Sequence, residues 1–230
     1  MKKLTAAIAL GFAAVGAQAA MIMFQFGFPN PPLSNTEINV SGVLGLFDTN
    51  MGVLTDVELT INSAMSGTIT LSLGASTGPQ NVKGTSVSDL FFTSTLAPLN
   101  AALAPPPPAV SQNLSFDTGF ILLQPGGSQT VQNLNDSEST TLNAALDAFI
   151  NSFGVAGGGN FNLGCTSVSS FTIAGGGGFA GGQETRQAGC GAKITYTFRD
   201  VPVIPEPASL ALVGLALAAA GAAARRINKA

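Results

Sequence analysis

Histidine is absent from this 230-residue sequence, and its absence limits the chemistry that the chain can perform. Without an imidazole there is no Ser-His-Asp or Cys-His arrangement, no imidazole general base and no histidine-bearing zinc site. Glycosidase chemistry needs two carboxylates in distinct environments, and nothing in the sequence selects such a pair. Tryptophan is also absent and there is a single tyrosine, so aromatic platforms for sugars are scarce. The sequence therefore predicts a protein that is not an enzyme and that has no cofactor, no catalytic residue and no metal site.

Charge is also scarce, because Asp, Glu, Lys and Arg make up only 9% of the chain. Between Ala20 and Ile204 there are four basic and eleven acidic residues, which gives a net charge of about −7. Nucleic acid is therefore excluded as a partner, because phosphate binding needs a basic stripe that displaces counterions. A polar, uncharged surface rich in Gly, Ser, Thr and Asn is instead compatible with sugars or an extracellular matrix.

The N-terminus has the three parts of a secretory signal peptide. Lys2 and Lys3 supply the positive region, and Leu4 to Val15 form a short apolar run. Ala17-Gln18-Ala19 then matches the small-x-small pattern that signal peptidase cleaves, which places the mature start at Ala20. A transmembrane helix is disfavoured because the apolar run is too short to cross a bilayer. We therefore expect residues 1–19 to form a signal helix that is removed on export.

The chain has two cysteines, Cys165 and Cys190. Export places both in an oxidising compartment, so we predict a disulfide between them. The bridge would close a loop of about 25 residues and stabilise the fold by roughly 3 kcal/mol in the chain-entropy model. A metal site would need further ligands, and a nucleophilic thiol would need a histidine partner.

Apolar residues alternate with polar ones along several short runs after Ile38, which is typical of half-buried strands. The runs are centred on Ile38 to Leu46, Val57 to Ile61, Ile69 to Leu73 and Lys193 to Phe198. Turn residues at Asn50 to Gly52 and at Ser66-Gly67 separate the first three, which predicts an antiparallel meander. The sequence thus predicts a mainly β fold, an antiparallel β-sandwich.

Three other segments depart from this alternation. Apolar residues at three- and four-residue steps predict one short helix at about 139–153, with Asp136 or Ser137 as its cap and Gly154 as its stop. The prolines within Leu99 to Val110 favour an extended surface segment. Eleven glycines between Gly154 and Gly182 predict mobile loops around a short strand.

The C-terminal tail also has three parts. Pro205-Glu206-Pro207 keeps the chain extended, an apolar run from Ala208 to Ala224 can enter the bilayer as a helix, and Arg225-Arg226 follows at once. The apolar run of seventeen residues is marginal as a permanent anchor. This tail resembles the PEP-CTERM sorting signal. The resemblance implies recognition and cleavage by an exosortase, a membrane cysteine peptidase of Gram-negative bacteria that make extracellular polysaccharide.

The preceding domain resembles the exported β-rich group called choice-of-anchor E. The resemblance lies in Leu46 to Thr55, in the predicted strand Val57 to Ile61 and in the closing strand Ile194 to Phe198. These are strand and turn residues, and the group implies no activity. The Gly-rich segment from Gly154 to Gly191, which bears both cysteines, departs from that group.

The sequence therefore predicts a signal peptide at 1–19, an exported β-rich domain at 20–203 and a sorting tail at 204–230. We expect signal peptidase, exosortase and, transiently, the membrane as partners. The predicted function is that of a processed protein of the cell surface or extracellular matrix, associated with biofilm or exopolysaccharide. Two alternatives remain open: a glycan- or calcium-binding adhesin module, and a permanently anchored single-pass membrane protein.

Overall fold

The computed structural model describes residues 19–35, 37–75, 78–104, 110–200 and 213–217. Residues from Ala19 to Arg199 belong to one compact unit. The range 213–217 is a short helical segment inside the predicted apolar run, and the rest of that run and the predicted signal helix lie outside the described residues. Across the described ranges, no helix has the length and apolar character needed to cross a bilayer.

The described residues form strands along most of their length. In chain order these are β1 (Ala19–Phe26), β2 (Ser34–Asn35), β3 (Asn39–Asp48), β4 (Gly52–Leu73), β5 (Gln80–Ser94), β6 (Ser111–Asp117), β7 (Ile121–Leu123), β8 (Ser128–Leu142), β9 (Gly154–Val155), β10 (Gly159–Gly175) and β11 (Ala180–Asp200). The helical elements are α1 (Ala97–Leu103), α2 (Ala144–Asp147) and single 3-10 turns at Ile150–Phe153 and Gly176–Gly178. The predicted mainly β class is confirmed.

The strands form two sheets that pack face to face as a sandwich. The first sheet has the order β1-β11-β4-β8, with β2 also paired to β11. The second has the order β6-β5-β10-β3-β9, with β7 also paired to β5. The pairs are antiparallel except for β3 and β9, which run parallel. Consecutive strands therefore often lie in opposite sheets.

Side chains that alternate along the strands build the core between the sheets. Leu59, Ile61, Ile69 and Leu71 of β4 are fully buried, as the period-two pattern predicts. Residues of β5, β10 and β11 meet them from the other strands, and all belong to one continuous cluster. Each such Leu or Ile contributes roughly 1.5–3 kcal/mol through burial, so the apolar faces hold the sheets together.

The predicted meander is wrong: its first run lies in β3 of the second sheet, and its second and third runs both lie in the single strand β4 of the first sheet. The turn at Asn50 is nevertheless present, since the Asn50 N–H donates to Oδ1 of Asp48 at 2.9 Å. The predicted turn at Ser66-Gly67 is absent: β4 runs unbroken for 22 residues. Gly67 is a site of close approach, because a Cβ there would lie 2.9 Å from the Phe116 ring and against the Thr185 carbonyl oxygen.

The helix predicted at about 139–153 is shorter and interrupted. Residues 139–142 finish strand β8, and only Ala144–Asp147 and the 3-10 turn Ile150–Phe153 are helical. Asp136 and Ser137 lie inside β8 and cap no helix, and Gly154 is extended, with φ −109°. The apolar spacing serves burial all the same, because Leu146 and Phe153 are fully buried. Long-range pairing of β8 with β4 overrides the local helical pattern.

Two segments that were predicted to be irregular are regular. The glycine-rich region is mostly the long strands β10 and β11, and β10 is paired on both sides, to β5 and to β3. Neighbouring strands thus supply hydrogen-bond partners to the backbone of a segment whose glycines would otherwise favour disorder. The region before the prolines contains α1, whose Leu99 and Leu103 are buried. The run Pro105 to Pro108 lies outside the described residues.

Candidate functional site

The first and last strands of the folded unit lie side by side. In the β1–β11 register, Ala19 is opposite Arg199 and Ala20 is opposite Phe198. Of the predicted signal-peptidase site, Ala17 lies outside the described residues, whereas Ala19 and Ala20 are the first two residues of β1. Cleavage after Ala19 would leave the strand intact from Ala20. The start of β1 and the end of β11 therefore lie at the same end of the sandwich.

We call this the tail end of the sandwich. The turn between β3 and β4 lies there, because a Cβ on Gly52 would fall against the carbonyl oxygen of Arg199. Strand β9 is joined to the same turn, since the Thr49 N–H donates to the Val155 carbonyl oxygen at 3.2 Å. The sorting residues Pro205, Glu206, Pro207, Arg225 and Arg226 lie outside the described residues. Four residues, 201–204, lie between Asp200 and Pro205 in the sequence.

The predicted disulfide between Cys165 and Cys190 is present, and it joins the two sheets. Cys165 belongs to β10 of the second sheet and Cys190 to β11 of the first, with a Cα–Cα separation of 6.6 Å. Both side chains are buried, at 1% and 2% exposure. The bond therefore cross-links the interior of the sandwich, and it fixes the strand that leads to the tail.

Tyr196 makes a second connection between β11 and the opposite sheet. Its hydroxyl donates to the Gly45 carbonyl oxygen of β3 at 2.8 Å. The ring packs against Phe24, Phe47 and Phe153, with centroids 6.0–6.3 Å away. Burial raises the pKa of Tyr196 well above its ordinary value, so the hydroxyl stays a donor. This residue is structural, and it holds the last strand in register.

A polar groove crosses the outer face of the first sheet. It has a volume of about 360 Å³ and passes over four neighbouring strands. The lining residues are Asn35, Ser66, Gly67, Thr68, Asn133, Thr185 and Gln187. None of them carries a charge. The groove thus presents hydroxyl and amide groups, which can both donate and accept hydrogen bonds.

Three features shape this groove. The Thr68 and Thr185 hydroxyls lie 2.6 Å apart across β4 and β11, and Gln187 donates to Oδ1 of Asn35 at 2.9 Å. The pairing of β4 with β8 shifts its register between Gly67 and Ile69. Asn133, on β8 at this irregularity, has φ +58°, a conformation that Asn tolerates better than most residues. The groove thus lies where the sheet departs from regular pairing.

The acidic segment around Asp136, which the sequence predicts to cap a helix, covers a sheet edge instead. Asp136 Oδ2 accepts a hydrogen bond from the Ser115 N–H at 2.7 Å, and Glu138 Oε2 accepts one from the Asn113 N–H at 3.0 Å. The two donors belong to β6, the edge strand of the second sheet. Among the described residues, no group of His, Cys, Asp and Glu side chains is arranged to hold a metal ion.

A salt bridge on the second sheet perturbs one further carboxylate. Nζ of Lys83 lies 2.8 Å from Oδ2 of Asp117. That hydrogen bond, together with one from the Gly119 backbone, lowers the pKa of Asp117 below its usual value. Both side chains are substantially exposed, so the pair contributes little stability. It lies outside the polar groove.

The sequence patterns that predicted strands gave no indication of the groove. Its residues come from positions between 35 and 187, and only sheet pairing brings them together. A partial signal was present, because the outward positions of β4 and β8 are mostly Ser, Thr and Asn. The pairs Thr60–Thr141 and Thr70–Thr130 are hydroxyl contacts on this face, at 3.2 and 2.8 Å.

Comparison with known families identifies the tail. Residues 203–226 match the PEP-CTERM protein-sorting motif. The chain is therefore an exported protein whose precursor is held in the membrane before exosortase, its processing partner, cleaves it. The resemblance of the domain to the choice-of-anchor E group is not confirmed.

The other comparisons add little. No curated protein matches the chain. Two solved structures with partial likeness are those of infectious bursal disease virus, Gx strain and Gt strain, at 6% and 9% identity and TM-scores of 0.17 and 0.15. The matches cover 87% and 93% of this chain and 48% and 52% of those chains, so the chain spans about half their length. Such low scores support no conclusion about fold or function.

Proposed function

We propose that this protein is a non-enzymatic component of the cell surface or extracellular matrix, delivered there by exosortase processing. The observation that carries the proposal is the sorting motif at residues 203–226, which begins three residues after β11 ends. The domain before it is a sandwich cross-linked by a disulfide, which suits an oxidising extracellular environment. Association with biofilm or exopolysaccharide is the end use that we favour.

Processing is tested by replacing Glu206 in the producing bacterium. Glu206→Ala removes the acid between Pro205 and Pro207, so we expect an uncleaved precursor in the membrane fraction. Asp200→Ala, a matched loss of a carboxylate upstream of the motif, should be processed normally. Mass spectrometry of the C-terminus reads out both variants. A mature mass that is unchanged in Glu206→Ala would mean that cleavage does not depend on Glu206, and an intact C-terminus in the unmodified protein as well would mean that the tail is a permanent anchor.

The polar groove supports a second function, the binding of a neutral glycan. Sugar hydroxyls need partners that both donate and accept, and the groove lining offers amides and hydroxyls without a competing charge. The absence of carboxylates from the lining favours a sugar over calcium, which prefers charged oxygen ligands. The lining contains no aromatic side chain, so recognition of a sugar would rest on hydrogen bonds rather than on stacking.

Glycan binding is tested with the polysaccharide of the producing cell. Gln187→Ala and Thr185→Val remove two groove donors and should weaken retention on immobilised polysaccharide. Thr172→Val, on the outer face of the second sheet, is the control and should bind like the unmodified protein. Equal retention of all three variants would exclude the groove as the sugar site, whatever the result of the processing experiment.

A further inference from the structure

The tail end of the sandwich, where β11 ends, exposes apolar side chains. Met21, Met51, Val53 and Val155 are 72%, 43%, 65% and 43% exposed. Met21 is opposite Thr197 in β11, two residues before Arg199. Met51 and Val53 flank Gly52, which lies against the Arg199 carbonyl. The Val155 carbonyl oxygen accepts a hydrogen bond from the Thr49 N–H of the same turn. We call these four residues the apolar end.

We infer that in the membrane-held precursor the apolar end rests on the lipid surface. This inference deepens the proposed function and rests on it, because the tail must first insert. The occupant that we assign to this surface is the boundary between headgroups and acyl chains. Side chains of Met and Val gain by leaving water at that boundary.

The short connection to the tail is what distinguishes this end. From Asp200 to Ala208, where the apolar run begins, eight residues can span at most about 29 Å. The headgroup layer itself occupies several ångströms of that reach. Tethering converts contact with lipid into an intramolecular event with a high effective concentration. Four exposed side chains, too few to hold a free protein on a membrane, are then sufficient to orient a tethered one.

The opposite end provides an internal comparison. Phe179 immediately precedes β11 and is 54% exposed, and Phe120 and Leu122 are 66% and 59% exposed. Apolar surface is therefore present at both ends, but β11 extends over 21 residues, or roughly 65 Å, between them. If exposure alone decided, both ends would reach lipid. The tether predicts contact at the tail end and none near Phe179.

Charge indicates which lipid to use. Asp48 bonds the turn at Asn50, and Asp200 follows Arg199 at the end of β11, so an anionic surface would not attract this end. The contact that we infer is apolar and should persist on zwitterionic vesicles and at high salt. Cleavage in the motif would release the tether and with it the contact.

The absence of tryptophan allows a clean experiment on the full-length precursor. Val53→Trp and Phe179→Trp each place a single indole at an exposed apolar position. Both are reconstituted in phosphatidylcholine vesicles with or without brominated acyl chains, and vesicle flotation confirms insertion of the tail. We expect emission to be lost to bromine for Val53→Trp and to be unchanged for Phe179→Trp.

The outcomes are distinguishable. Failure to float would count against the membrane-held precursor itself. Flotation with no quenching of Val53→Trp, or with equal quenching of both variants, would overturn the inference while leaving the processing route intact. If the indole of Val53→Trp became shielded from water only after exosortase was added, the apolar end would be assigned to that enzyme. That result would also overturn the lipid assignment. Flotation with quenching of Val53→Trp alone would support it.

Discussion

Removal of the Cys165–Cys190 disulfide should lower the free energy of unfolding by about 3.5 kcal/mol. The cysteines are 25 residues apart, and closing a loop of that length removes about 12 cal/mol/K of entropy from the unfolded chain. The enclosed segment contains seven glycines, so its unfolded ensemble is broad and the restriction is felt strongly. Because the bond joins β10 to β11, the destabilisation should be global rather than local.

The assay is urea unfolding of the mature protein, followed by circular dichroism. With a slope of about 2 kcal/mol/M, the loss corresponds to a fall of roughly 1.5–2 M in the midpoint. Cys165→Ala, Cys190→Ala and the double variant should all show it, since each removes the same cross-link. Reduction of the unmodified protein provides an independent control. A loss below about 1 kcal/mol in all of these would refute the argument from unfolded-chain entropy.

Two further predictions concern contacts between the sheets. Tyr196→Phe removes a buried hydroxyl and leaves the Gly45 carbonyl without its 2.8 Å donor. We therefore expect the free energy of unfolding to fall by about 1–2 kcal/mol in the same urea assay. An unchanged midpoint would mean that this carbonyl finds another partner. Asp136→Ala with Glu138→Ala uncovers two N–H groups on the edge strand β6 and should cause concentration-dependent self-association in light scattering. The double variant Asp56→Ala with Glu58→Ala is the control, because it removes the same charge from β4. If the two double variants associated equally, the effect would be due to charge alone.

The sequence identifies strands where one face is apolar and the other polar. Val57 to Ile61, Ile69 to Leu73 and Ile194 to Phe198 all lie in strands of the structure. The same logic fails where glycine takes a strand position. Gly67 resembles a turn residue in the sequence, but its missing side chain lets β4 approach β11. A local pattern cannot distinguish a glycine that bends the chain from one that admits a neighbour.

The extent of β10 and the division of strands between the sheets also required the structure. Leu142 and Ala145 fall at a helical spacing. Leu142 nevertheless ends a strand, because all fifteen residues of β8 lie beside the long strand β4 and pair with it along most of their length. The polar groove depends on the same pairings, since its lining comes from four strands. By contrast, the sorting tail could be identified from the sequence, because a short linear signal depends on residue order and not on tertiary contacts.

The β1–β11 register explains how the two ends can be processed without damage to the fold. β11 carries Cys190 and Tyr196, so any cut before Tyr196 would remove a residue that ties the sheets together. The sorting motif begins three residues beyond Asp200, and the predicted signal cleavage after Ala19 would remove only the first pair of the register, Ala19 with Arg199. The pairs from Ala20 with Phe198 to Phe26 with Ala192 would therefore stay intact after both cuts. The processed sandwich would keep all eleven strands of the described residues, with Ala20 and Asp200 at the same end.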